Sequence, residues 1–217
     1  MSSRRPRWAP ILGVVALGAA AIVAVSSVRE PVLRAAGWAL VVNEPFAPVD
    51  IIVISINSGG AGALEAADLV RSGIATRVAV FSDPPSGEDH EFIRRGLPYE
   101  DAGATQIRQL RWLGVTDVVQ IPRTDVGTEG EGQVLPPWCD RHQFRSIVFV
   151  AARDHSRRMR RVLDRVMKGH PTRAMVQPAR YSSFDPDRWW ETRSGIRTEI
   201  FELQKLVFEA VLHPMSF

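Results

Sequence analysis

The sequence predicts an α/β fold, a parallel sheet with helices on both faces, preceded by one transmembrane helix. Three observations carry that expectation. Short β-branched runs recur along the chain from Val49 onward. Amphipathic stretches of about 10 to 15 residues separate them, the spacing of right-handed β-helix-β crossovers. Ahead of all of these, residues 9–28 carry no charge.

The elements follow in order. Residues 9–28, APILGVVALGAAAIVAVSSV, match the roughly 20 apolar residues that cross a bilayer core of about 30 Å. Arg4, Arg5 and Arg7 stand before this segment and mixed charge follows it. The positive-inside rule then places residues 1–8 in the cytoplasm and the remainder on the outer face of the plasma membrane, as a single-pass anchor. A cleaved signal peptide is the competing reading, because AVS before Ser27 resembles a small-residue processing site. Residues 29–48 read as a linker holding a short amphipathic helix over 31–42, broken by NEPFAP. Residues 49–217 read as one α/β domain without internal repeats. Its strands are VDIIVISI, RVAVFS, DVVQI, SIVFVAA and the weaker TRAMVQ. Its helices are expected over 61–72, 99–113, 130–138, 155–168 and 188–212. Near-continuous apolar strands fit a sheet buried on both faces.

Composition excludes some functions. The 27 basic residues stand against 24 acidic ones, a net charge of only +3, which argues against a nucleic-acid binder. Lys168 and Lys205 are the only lysines, so an arginine run is weak evidence for a special basic patch in this chain. Cys139 is the only cysteine, which rules out an intramolecular disulfide. PPWCDRH, the stretch around it, reads as a loop in which His142 is the one candidate to activate the thiol.

In open α/β sheets the functional crevice lies beyond the carboxyl ends of the strands, so the loops there are the informative ones. After the first strand, NSGGAGALEAA places Gly59, Gly60 and Gly62 before a helix. Such glycines permit a tight turn and let an anion approach the helix amides, although Glu65 stands where a dinucleotide fingerprint has its third glycine. After the second strand comes a long loop rich in Pro, Gly and charge, read as a lid or a surface insertion. His90 within it lacks any partner at HxH or HExxH spacing, so no metal site is expected. After the third strand, Thr128, Glu129 and Glu131 stand together. Thr128 with Glu131 matches a capping box, and one of the two glutamates is a candidate base or hydroxyl ligand.

After the fourth strand, AARDHSRRMRRVLDR holds six arginines in fifteen residues. Met159, Val162, Leu163 and Val166 fall at i, i+3, i+4 and i+7 and form the core stripe. Arg157, Arg160, Arg161 and Arg165 are therefore expected to face solvent. Arg153 and His155 stand at the strand-to-helix junction, with Arg158 one turn after His155 on nearly the same face.

In this stretch the chain resembles the YdcF-like family, also called SanA/ElyC-type, a bacterial domain of unknown function. IVFVAARDHSRRMRRVL is similar to that family's strand-His-x-x-Arg motif. APVDIIVIS with its glycines, ALEAADLVRSGIATRVAVF, YEDAGATQIRQLRWLGVTDVVQI, GTEGE and the closing WWETRSGIRTEIFELQKLVFE follow in the same order. The resemblance spans roughly residues 45–209. The chain departs from the pattern where SDPP replaces a second glycine pair, and where an arginine usually follows the first glycine loop.

The resemblance implies a three-layer Rossmann-like domain on a membrane anchor, linked to bacterial cell-envelope maintenance and lipid-carrier metabolism. It implies site residues at Gly59, Gly60, Thr128, Glu129 or Glu131, His155 and Arg158. An enzyme of this kind would be a hydrolase or transferase acting on a phosphorylated or lipid-linked peptidoglycan intermediate. His155 would be its acid/base or nucleophile, and Arg158 and Arg153 would neutralise phosphate. The alternative is a non-catalytic ligand-binding or scaffold protein of the envelope. No cofactor is expected. Some relatives are associated with S-adenosylmethionine, but an exported domain has little access to it. The expected partners are the lipid bilayer and the phosphorylated substrate, not nucleic acid.

Overall fold

The structure, a computed structural model, describes residues 18, 26–42, 44–123 and 127–212. Its helices are α1 (Ser26–Ala39), α2 (Gly59–Arg71), α3 (Gly87–Arg94), α4 (Ala102–Trp112), α5 (Gly127–Gln133), α6 (Leu135–His142), α7 (Ser156–Val166) and α8 (Arg193–Leu212). Its strands are β1 (Ile51–Ile54), β2 (Val78–Ser82), β3 (Val118–Pro122), β4 (Ser146–Ala151) and β5 (Arg173–Pro178). Each expected run thus forms a strand. All pairings are parallel, in the order β3-β2-β1-β4-β5.

Alternation along each strand separates two cores. Val53, Phe81, Ile147 and Phe149 point to one face, against Leu135 and Trp138 of α6 and Met159, Val162 and Leu163 of α7. Ile52, Ile54, Val80 and Val148 point to the other, against Ala63, Ala66 and Ala67 of α2 and Leu110 of α4. The chain winds outward from β1 to β3, then returns to place β4 on the free side of β1. Because crossovers keep one hand, that reversal puts α2 and α4 on one face and α6 and α7 on the other. The result is the three-layer Rossmann-like arrangement, with a topological switch point between β1 and β4.

Several elements differ from the sequence reading, each for a local reason. The single helix expected over 130–138 is two helices, α5 and α6. Pro136 and Pro137 have no N–H to continue an α5 ladder, and they sit instead in the first turn of α6. PPWCDRH is therefore helix, not loop. The long segment after β2 contains α3, started by a capping box in which Ser86 and Asp89 bond each other's backbone N–H. His90 there turns Nδ1 to the Ser86 carbonyl oxygen at 2.7 Å. Among the described residues no group of three or more ligating side chains is placed to hold a metal. Helix α1 passes through Pro31, where the sequence reading began it.

The expected anchor over 9–28 lies outside the described residues except for Gly18 and the three residues that open α1. No described helix is long and apolar enough to cross a membrane.

Helix α8 lies outside the two-faced sandwich, alongside α7. Arg158 meets Glu202 at 3.3 Å and, seven residues further along both helices, Arg165 meets Glu209 at 2.5 Å. The two helices therefore run in parallel, zipped by charge at two-turn spacing.

Candidate functional site

At the carboxyl ends of β1 and β4 lies a crevice of about 810 Å³. Asn57 enters it from the turn after β1, Asp154 and His155 from the turn after β4, Thr128 from α5 and Arg158 from α7. Arg197, Phe201, Glu202 and Lys205 of α8 close the remaining side. The fold thus puts this crevice at its switch point, where open α/β sheets bind ligands.

His155 is held from one side. Its Nδ1 lies 2.9 Å from Glu202 Oε2 and 2.9 Å from Arg158 Nη2. A guanidinium only donates and a carboxylate only accepts, so one proton position satisfies just one of these neighbours. Glu202 decides it. Burial acts to raise its pKa, but hydrogen bonds from His155 and Lys205 and the charges of His155 and Arg158 override burial and bring it down to about 2. An ionised, buried carboxylate takes the proton on Nδ1, and Arg158 has other acceptors in Thr128 Oγ1 at 2.5 Å and Glu202 at 3.3 Å. In the neutral imidazole the lone pair then resides on Nε2. Its nearest carboxylate, Asp154, stands at 3.5 Å, too far for a normal hydrogen bond. A carboxylate fixing Nδ1–H and leaving Nε2 open is the arrangement of a histidine base.

Beneath the crevice is a second polar network. Glu131 is fully buried and its carboxylate accepts from Ser55 Oγ at 2.9 Å and Ile56 N at 2.9 Å. Arg123 lies 3.8 Å from Glu131, pairs with Asp83 and donates to the Gly127 carbonyl at 3.1 Å. Burial pushes the Glu131 carboxyl above its ordinary range against the pull of Ile56, Ser55, Arg123 and His155. The network ties together the ends of β1, β2 and β3, so the turn that carries Asn57 has a fixed base.

The residues singled out in the sequence separate accordingly. His155, Arg158 and Thr128 converge. Glu131 does not form the expected capping box, because its carboxylate reaches across to the β1 turn. Glu129 lies on the outer side of α5, bonded to Arg165 at 2.6 Å and Gln133 at 3.2 Å. Arg153 turns away and donates to the Arg180 carbonyl at 3.0 Å. Gly59 has φ of +49°, a conformation that a side chain would strain. Gly60 lines a separate hollow with Leu64 and Trp112 rather than the crevice.

The arginines of α7 are not simply solvated. Arg160 donates to the Ala174 carbonyl at 2.7 Å and pairs with Glu44, and Arg157 donates to the Val41 carbonyl at 2.7 Å. These side chains fasten the segment after α1 and β5 to α7, while Arg158 and Arg165 fasten α8.

Glu202, Arg197, Lys205 and Asn57 escaped the sequence reading. For Glu202 one signal existed. Glu199, Glu202 and Glu209 share one side of α8, with large apolar residues on the other. Glu199 is fully buried with neither carboxylate oxygen hydrogen-bonded. Burial, together with the charge of Asp154, pushes its pKa up to about 7. Cys139 is buried on the core side of α6, and burial raises its thiol to about 11, which removes it as a nucleophile.

A second hollow, of about 690 Å³, lies between α2 and β5. Its polar groups are already satisfied: Arg180 pairs with Glu65 and Asp68, and Gln177 donates to Glu65 at 3.0 Å.

No family model matches the chain, and no curated protein matches it. Among solved structures, it is similar to the universal stress protein from Archaeoglobus fulgidus in complex with dAMP, at 14% identity and a TM-score of 0.35. That match covers 60% of this chain and 98% of the other.

Proposed function

We propose that this chain is a membrane-anchored, extracytoplasmic protein of the YdcF-like kind in the bacterial envelope, and that its crevice acts on a phosphorylated, lipid-linked intermediate. One observation carries the catalytic part: Glu202 holds by Nδ1 a histidine, His155, that lines the same crevice as Arg158, Arg197 and Lys205, and Nε2 is left without a normal hydrogen bond. In a hydrolysis, Nε2 takes a proton from water as the water oxygen bonds to phosphorus. The bond from phosphorus to the leaving oxygen breaks, and the imidazolium returns the proton to that oxygen. The cations of α7 and α8 offset the charge of the phosphoryl oxygens.

A non-catalytic reading has its own support. The Arg158 guanidinium is already engaged by Thr128, Glu202 and His155, which leaves it less free to grip a phosphate. Phosphate release from a polyprenyl pyrophosphate separates the two. Wild type is expected to release phosphate and His155→Ala to lose at least about 100-fold of that rate, the low end of a general base's contribution. Equal release by both proteins sinks the enzymatic reading and leaves the binding one.

A further inference from the structure

Helix α8 offers a second, unassigned surface. Ile200, Phe201, Val207, Phe208, Val211 and Leu212 are each more than half exposed. At 3.6 residues per turn they fall within one half of the helix circumference. Arg193, Arg197 and Lys205 belong to that same half, whereas Glu199, Glu202 and Glu209 all belong to the half facing α7 and the turn after β4. The exposed half is therefore apolar and cationic, without an acidic residue.

We propose that this half of α8 lies in the interfacial layer of an anionic bilayer and brings the His155 crevice to the lipid headgroups; the inference rests on the membrane anchoring proposed above. Three features select a bilayer over other occupants. First, an exposed helix half that combines large apolar side chains with Arg193 and Arg197 in its first two turns and Lys205 at its edge suits the plane of an anionic interface, where apolar side chains reach about 5–10 Å below the headgroups. Second, Arg193 and Arg197 have no acidic residue on this face to pair them, so a second copy of the same face would bring further cations and no counter-charge, whereas anionic headgroups supply it. Third, the uncharged segment over 9–28 ends at the start of α1, and α1 is tied to the chain just before α8. Trp189 Nε1 donates to the Leu33 carbonyl at 2.7 Å, and the Gly37 backbone packs against Pro186 with no room for a Cβ. Leu33 is five residues past Val28, roughly 8 Å along a helix. The start of α8 is thereby held close to where an anchor would leave the bilayer.

Arg197, Phe201 and Lys205 belong both to this face and to the wall of the crevice. A phosphorylated lipid could thus present its headgroup to His155 while its chain stays in the membrane. The cationic rim suits the phosphate, and Phe201 the first carbons of the chain.

The test uses the full chain in vesicles of phosphatidylglycerol and phosphatidylethanolamine. An environment-sensitive fluorophore is attached at Phe208→Cys, and in a control at Trp112→Cys, an exposed position on the opposite face of the sheet. The untreated chain reports any labelling of Cys139. The expected result is a blue-shifted probe at 208 that shallow spin-labelled lipid quenches, beside an unquenched probe at 112. Three results overturn the proposal: an unquenched probe at 208, equal quenching at both sites, or a probe at 208 shielded by another copy or by residues 9–25 without lipid quenching. Failure of the chain to float with the vesicles overturns the anchoring reading itself. Flotation with an unquenched probe at 208 overturns only the docking of α8.

Discussion

Glu199→Gln is expected to stabilise the protein above neutral pH and to leave it little changed in acid. In the folded chain Glu199 is wholly buried, neither oxygen has a hydrogen-bond partner, and Asp154 adds a like charge. Burial first and Asp154 second raise its pKa from 4.5 to about 7. A carboxyl with a raised folded pKa holds its proton in the folded state after the unfolded chain has lost it. Between about pH 4.5 and 7, stability therefore falls as pH rises, and above 7 the full cost is present. The gap between the two values corresponds to about 3 kcal/mol. For a domain of this size that is a shift in melting temperature of roughly 6–12 °C. Glutamine keeps the shape and cannot ionise, so the variant should lack that slope. The assay is thermal or urea unfolding of both proteins in the same detergent between pH 5 and 8.5. The readout is the change in their difference across that range, which cancels any constant cost of burying the amide. Parallel stability curves would refute the reasoning, because they would mean that Glu199 reaches solvent or a partner.

The remaining predictions concern the site and its supports. Glu202→Gln should cost about 3–5 kcal/mol near neutral pH, since His155, Arg158 and Lys205 lose a shared buried carboxylate. Because the pKa of Glu202 is lowered from 4.5 to about 2, its contribution is present above 4.5 and lost as pH falls towards 2, so the variant should show a flatter acid limb in urea unfolding. An unchanged acid limb would count against the His155–Glu202 pair. Gly62→Ala should cost about 1–3 kcal/mol by overpacking, because its Cβ would run into the Ser58 side chain and stand 2.6 Å from Ile54 Cγ2. Chemical denaturation measures this, and a neutral effect would show that the turn after β1 is free to shift.

Much of the architecture was legible because burial on both faces imprints itself directly on the chain. Ile51 to Ile54 and Ile147 to Val150 are continuous apolar runs, and Met159, Val162 and Leu163 recur at helical spacing where α7 meets the sheet. His155 was legible from its place after β4. What surrounds it was not, because Glu202 comes from a helix 47 residues later, and only the three-dimensional pairing of Arg158 with Glu202 shows which elements meet. The outward arginines misled for a related reason. Periodicity says that Arg160 and Arg165 leave the sheet, but not that Glu44, Glu129 and Glu209 are there to receive them. Glu131 shows the same limit at short range. The spacing from Thr128 fits a capping box, yet the better partners are Ser55 and Ile56, some 75 residues earlier.

The central claim is that Glu202 fixes the proton of His155 on Nδ1 and leaves Nε2 open to substrate. The most direct measurement is the nitrogen NMR spectrum of the histidine-labelled protein above neutral pH, with His155→Ala assigning the signal, before and after addition of inorganic pyrophosphate. The account predicts a protonated Nδ1, an unprotonated Nε2, and a change at Nε2 when pyrophosphate binds. An unprotonated Nδ1 accepting from Arg158, with a spectrum indifferent to pyrophosphate, would contradict it.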